Sequence, residues 1–200
     1  MMRYLYALIV MLGAYANAGH AQAIVGSTVL DVTDTRPYIQ AYDQSRVNVL
    51  PGGTVSWLYL YNESAATLTT AGTVSWIYVE DHGAVTVGPN SDVSHLNVLD
   101  EGSAVVDGST ISHLGFFGSA TGKLCSGNIG YLRLSQAATV DVYGYDFQFD
   151  GHRLTGHWSD GTEFNFSVQQ AESPQQAPSP LPISLPANLR LHSVPLPAEG

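Results

Sequence analysis

The sequence predicts an all-β fold: a parallel β-helix solenoid of about five coils of 18–19 residues, closed at its C-terminal end by short antiparallel strands. Three observations lead there. The pentad GTVSW begins at Gly53 and again at Gly72. Aligned on it, five units follow one another: TVSWLYLYNESAATLTTAG from Thr54, TVSWIYVEDHGAVTVGPNS from Thr73, DVSHLNVLDEGSAVVDGS from Asp92, TISHLGFFGSATGKLCSG from Thr110 and NIGYLRLSQAATVDVYGY from Asn128, at intervals of 19, 19, 18 and 18. Within each unit, apolar residues hold the second place (Val55, Val74, Val93, Ile111, Ile129), the fifth (Leu58, Ile77, Leu96, Leu114, Leu132) and the seventh (Leu60, Val79, Val98, Phe116, Leu134).

A repeat of this length cannot bury its own apolar face, so each unit must stack on its neighbours. Alternation of period two, rich in Val, Thr and Tyr and punctuated by Gly, Asn, Asp and Ser, indicates strands and turns. The L-x-x-L-x-L-x-x-N frame of leucine-rich repeats, with its helical half, is missing. A later apolar pair is less regular, around Leu68, Val85 with Val87, Val105, Leu124, and Val140 with Val142. That irregularity breaks a hexapeptide frame and favours right-handed coils. Five rungs spaced ~4.8 Å apart give a stack roughly 24 Å tall.

Taken in chain order, residues 1–23 read as a secretory signal peptide: Arg3, the apolar run YLYALIVMLGAYA, then the small-residue exits Ala16-Asn17-Ala18 and Ala21-Gln22-Ala23, with cleavage expected after Ala23. The apolar run is shorter than the ~20 residues of a membrane-spanning helix. Residues 24–53 read as irregular lead-in strands capping the first coil, and residues 54–145 as the coils. Residues 146–168 read as capping strands around the Asp150-Gly151 and Asp160-Gly161 turns. Residues 169–200 form a Pro/Gln/Ser-rich tail with no core-building pattern, expected to be extended and disordered.

Seven Lys and Arg stand against seventeen Asp and Glu. Without Arg3 the balance is six minus seventeen, or minus eleven. Phosphate backbones and anionic lipid need clustered cations, so neither nucleic acid nor anionic lipid is an expected partner; no other segment could cross a bilayer, so no membrane span is expected after signal cleavage. Cys125 is the one cysteine, so no intramolecular disulfide forms. It is expected to be a small buried core residue.

Stacking turns each column of the alignment into a file of side chains. The fourth column is Trp57, Trp76, His95, His113, Tyr131, and the sixth begins Tyr59, Tyr78. Both are expected to point outward as stacked rings. One reading makes them a ladder that holds the coils in register. The other makes them a flat platform for polysaccharide or for another surface protein. Self-association through unpaired strand edges is a third expectation.

His95 and His113 are two imidazoles without a third ligand, so no metal or other cofactor is assigned. Asp81, Asp100, Glu101 and Asp107 lie beside turn residues, where acids serve the backbone. No G-x-S-x-G, H-E-x-x-H or Walker motif occurs, so no catalytic residue is assigned. A polysaccharide lyase or hydrolase, chemistry that β-helices also host, is the alternative to a non-enzymatic protein.

The stretch ATVDVYGYDFQFDGHRLTGHWSDGTEFNF at residues 138–166 carries Val140-Asp141-Val142-Tyr143-Gly144, the aromatics Phe147 and Phe149, Asp150-Gly151, Leu154-Thr155-Gly156 and Asp160-Gly161-Thr162. It resembles the segment closing β-helical repeats in exported bacterial proteins of the PEP-CTERM-associated type, a likeness covering about residues 54–168. The resemblance implies a signal peptide, a solenoid, a Pro-containing linker, a cell-surface or matrix location and a sorting tail. Here Val194-Pro195-Leu196-Pro197 lacks the Glu of that tail and is followed only by Ala198-Glu199-Gly200. That departure points to release or to a truncated gene product.

Overall fold

The computed structural model describes residues 21–171, 173–175 and 184–195. Most of the expected signal peptide, much of the Pro-rich tail and its last five residues lie outside them. The described chain is all strand, with no helix. A long and a short strand alternate, and each pairs in parallel with its counterpart one turn away.

The long strands are β3 (Thr35–Ala41), β5 (Thr54–Leu60), β7 (Thr73–Val79), β9 (Asp92–Val98), β11 (Ser109–Phe116) and β13 (Gly127–Leu134), with the three-residue β1 (Gln22–Ile24) opening their file. The short ones are β2 (Val29–Val32), β4 (Arg46–Val49), β6 (Ala65–Leu68), β8 (Ala84–Val87), β10 (Ser103–Val106) and β12 (Thr121–Leu124); the next, β14 (Thr139–Phe149), overruns the stack. Leu58 sits over Ile77, Ile77 over Leu96, Leu96 over Leu114 and Leu114 over Leu132. This is the predicted solenoid, with about six turns where the repeat alignment predicts five.

The extra turn is the expected lead-in. β3 pairs with β5 in the repeat's own register, Ile39 on Leu58 and Ala41 on Leu60. Arg36 and Pro37 hide it in the sequence by replacing the Val-Ser of later coils. Pro37 is tolerated because the third place drops out of the ladder in every coil: pairing skips from Val55↔Val74 to Trp57↔Trp76. Two consecutive residues face outward there, which explains the three-residue gap between the second and fifth columns. The expected cleavage point after Ala23 falls inside β1, whereas a cut after Ala18 would leave that strand whole.

Corners follow rules of their own. The first corner carries a residue of positive φ, namely Asp43, Asn62, Asp81, Asp100 and Gly118. Asp and Asn tolerate that conformation better than other side-chain-bearing residues. Two places on, the residue is small from the corner after β3 onward: Ser45, Ser64, Gly83, Gly102, Ala120, Ala138. At Gly83 a Cβ would already lie 3.0 Å from Glu80 O and from Val79 Cγ1. The second corner absorbs the change of period, with four residues between β6 and β7 but two between β10 and β11, which opens one residue before the repeat frame.

The core is one continuous aliphatic column between the two sheets. The short strands contribute Ala66 with Leu68, Val85 with Val87, and Ala104 with Val106. Val106 therefore takes the inward place expected of Val105, which faces out and is half-buried. Volume is traded across the core at one rung. Phe116 is the one aromatic ring in a column otherwise held by Ile24, Ala41, Leu60, Val79, Val98 and Leu134, and opposite it Gly122 replaces the usual Ala or Val. A Cβ on Gly122 would lie 2.4 Å from Phe116 Cζ. Cys125 is half-buried and outside this core, because it follows the inward Leu124 and faces away.

The C-terminal end is closed as expected, with one addition. β14 runs past the stack into an antiparallel sheet with β15 (Arg153–Trp158) and β16 (Glu163–Gln170). Leu154, Trp158 and Phe166 are fully buried beneath it, and Trp158 Nε1 donates to Gly127 O at 2.8 Å. Asp150 Oδ1 accepts from the backbone N–H of His152 and of Arg153, and Asp160 Oδ1 from the N–H and hydroxyl of Thr162. The end of β16 rejoins the solenoid under β13, Val168 on Leu132.

The tail is corrected too. Leu189–Ser193 forms a strand, β17, parallel to β14 with Leu189 on Val140. Asn188 fastens it by donating to Ser135 O at 2.8 Å and Ala138 O at 2.6 Å.

Candidate functional site

The seven residues singled out in the sequence gather on one face, because parallel register places like on like. Trp57 and Trp76 stack at 5.1 Å and 9° between planes, Trp76 and His95 at 3.6 Å and 6°, and His95 and His113 at 4.1 Å and 3°. Tyr131 ends the file edge-on to His113, at 4.3 Å and 89°. Beside it Tyr59 and Tyr78 stack at 5.0 Å and 8°.

Three more tyrosines widen the wall. Tyr42 and Tyr61 stack at 4.9 Å in the eighth column, and Tyr38 leans onto Tyr59 at 5.3 Å and 39°. The signal for them was present in the sequence: TRPYIQAY at 35–42 and TVSWLYLY at 54–61 both carry rings at the fourth and eighth places.

Stacking decides what the wall can offer. A ring flanked above and below spends both π-faces on its neighbours and shows solvent an edge, so the expected flat platform is a grid of ring edges over most of its area. Trp57 and Tyr131, at the two ends of the file, are the exceptions. Tyr38 shares its register but turns to Tyr59, and Trp57 remains 37% exposed.

The electrostatics are those of a partly dry surface. Burial, followed by neighbouring tyrosines and Glu80, raises Tyr59 and Tyr61 above the ordinary phenol value, so their hydroxyls stay protonated. Burial also raises the Glu80 carboxyl, with Asp100 and Asp81 adding to the shift. His95 is lowered by burial first and by His113 second, which keeps it neutral. Its Nδ1 is buried without a hydrogen-bond partner, whereas His113 Nδ1 lies 3.2 Å from Ser94 O.

The sixth column changes from Tyr59 and Tyr78 to Asn97, Gly115 and Arg133. The missing rings leave a hollow of about 280 Å³ bounded by Tyr78, His95, Asn97, His113, Gly115 and Arg133. Arg133 Nη1 donates to Pro174 O at 2.9 Å on its rim.

A second concavity, of about 850 Å³, lies between the start of β13 and the antiparallel cap. His157 stands there between two carboxylates, its Nδ1 3.9 Å from Asp146 Oδ2 and its Nε2 3.9 Å from Glu163 Oε1. Asp146 has φ +54° in the bulge between Tyr145 and Gln148. The repeat alignment does not reach this cluster, because it sits in the non-repeating cap. Among the described residues no group of three or more His, Cys, Asp and Glu side chains could hold a metal ion. Asp81 and Asp100 sit at positive-φ corners, and Asp107 accepts from Ser126 Oγ at 2.7 Å.

No family model, no curated protein and no solved structure matches the chain.

Proposed function

We propose that this chain is an exported, non-enzymatic β-solenoid that serves as a structural or adhesive element at a bacterial surface or in extracellular matrix, contacting polysaccharide through its aromatic wall. One observation carries the reading: an outward wall of stacked rings on a rigid parallel scaffold, with Trp57 left open to solvent. Ring stacks add about 0.5–1.5 kcal/mol per pair beyond burial, so the wall also stiffens the coils. The N-terminal sequence, the acidic balance and the PEP-CTERM-type resemblance support the location. Sedimentation with insoluble polysaccharides tests contact: the wild type should be retained, and a Trp57→Ala, Trp76→Ala variant with an unchanged circular dichroism spectrum should be released. Equal retention of both removes the polysaccharide claim.

A second reading, polysaccharide cleavage, draws on the groove around Asp146, His157 and Glu163, where an imidazole between two carboxylates could move protons. A screen for new reducing ends or unsaturated products decides it. Turnover that disappears in His157→Ala would replace the first reading, and silence across common polysaccharides removes the second.

A further inference from the structure

We propose that the groove beside the C-terminal cap is a docking site for an extended basic peptide from another protein, which adds as a strand to the free edge at the start of β13 and sets a lysine or arginine against Asp146 and Glu163. The proposal does not rest on polysaccharide contact through the aromatic wall, and it gives the groove a binding role in place of cleavage.

The free edge comes from the way the cap is joined. Each long strand from β3 to β11 pairs along its length with the next long strand. Under β13 that rule stops, because β16 pairs with it only from Tyr131↔Ser167 to Leu134↔Gln170. Residues 163–166 of β16 pair with β15 instead, Phe166 on Leu154 and Glu163 on His157. The two strands part at Tyr131, and residues 127–129 pair with β11 alone among the described strands. A strand sends N–H and C=O groups to both of its sides, so this stretch keeps half a ladder unused. Gly127 O is met by a side chain, accepting from Trp158 Nε1 at 2.8 Å.

The groove of about 850 Å³ opens where the strands part. Residues 127–129 form one wall, and the floor is the polar face of the cap, with Gln148, Thr155 and Asn165 in one cross-strand row and His157 and Glu163 in the next, beside the bulge at Asp146. Main-chain groups at ladder spacing are met best by another main chain, which is how a strand adds to a sheet edge. Charge then selects among peptides. Asp146 and Glu163 are exposed carboxylates with His157 at 3.9 Å from each, and no described lysine or arginine borders the groove. Arg153, the cation nearest in the cap's pairing, is bonded to Asn165 Oδ1 at 2.6 Å. The chain's net charge of −10 draws the same basic partner from a distance.

Selection from a random-peptide phage library against the protein tests the site, with the selected peptides then synthesised and measured by fluorescence polarisation. They should carry Lys or Arg above the library's own frequency. The paired substitutions Asp146→Asn and Glu163→Gln keep the side-chain shapes and should weaken these peptides about threefold or more. Amide hydrogen exchange reads the edge itself: with peptide at about ten times its Kd, exchange of the unpaired amides in residues 127–129 should slow about tenfold. The Trp57→Ala, Trp76→Ala variant should bind the peptides as the wild type does, which separates this site from the wall. No selected binder, no enrichment of Lys or Arg, undiminished affinity in the Asp146→Asn, Glu163→Gln variant, or protection that leaves residues 127–129 unchanged overturns the proposal. A soluble glucosamine oligomer that binds and loses affinity in the same variant, without protecting those amides, assigns the acids to an amino sugar and refutes the peptide. None of these outcomes bears on sedimentation through Trp57, so the wider reading stands or falls by its own assay.

Discussion

The exchange of volume between Phe116 and Gly122 gives a sharp test of the core. In Gly122→Ala the new methyl group would lie 2.4, 2.7 and 3.0 Å from three atoms of the Phe116 ring, which is itself fully buried. Overpacking of this kind costs about 1–3 kcal/mol. Replacing Gly in a strand returns about 0.5–1 kcal/mol of backbone entropy, so the net loss should be about 0.5–2 kcal/mol. Phe116→Leu alone removes ring volume and leaves a void beside Gly122, a loss of about 1–3 kcal/mol, less than the range for Phe→Ala. The double variant recreates the combination that Leu60 and Ala66 already use elsewhere in the stack. It should therefore be more stable than additivity of the two losses allows, with a coupling of about 1–3 kcal/mol. Urea unfolding of the four proteins reads this directly. Losses that add to within about 0.5 kcal/mol would show that the two sites do not share a space, and would refute the packing argument.

Two further outcomes follow from the corners and the ring file. Ala71 holds φ +64°, a conformation costing a residue with a Cβ about 1–2 kcal/mol; Ala71→Gly should raise the unfolding free energy by up to about 1 kcal/mol, read as a higher urea midpoint with an unchanged m-value, and Asn90→Gly at the equivalent corner should gain less. His95 is held below its ordinary 6.5 by burial and by His113, so the unfolded chain binds the proton more readily. The corresponding stability is fully present above about 6.5, falls as pH drops through that value toward the folded one, and changes no further below it. Unfolding midpoints from about pH 7.5 to 5 should decline in this window, and His95→Tyr should flatten the decline; identical profiles would exclude His95 as its source.

Much of this architecture was legible because a parallel solenoid repeats its geometry. Val55, Leu58 and Leu60 each predict the residue one rung away, and the ladder then places Trp57 on Trp76 without further information. What escaped was information that the repeat does not carry. Arg36 and Pro37 disguised a regular coil, since one lies near the open end and the other at a place outside the ladder. In the run Val105-Val106 no alternation marks which valine faces in. β17 lies in a Pro-rich stretch, and its partner is separated from it by the cap. The seven site residues were readable as columns, but their free faces were not: alignment says which rings are neighbours, not that Tyr38 leans away from Trp57 or that Phe117 fills the place beside Gly115.

The last turn joins segments that translation delivers far apart. β14 is complete at Phe149, yet its exposed edge is covered by Leu189–Ser193, after the whole β15–β16 hairpin has been made. Earlier turns can settle one at a time onto a rung already in place, whereas this edge stays bare until Leu189–Ser193 has been made. A chain lacking Leu189–Ser193 would carry an unprotected strand in β14, the feature that invites aggregation.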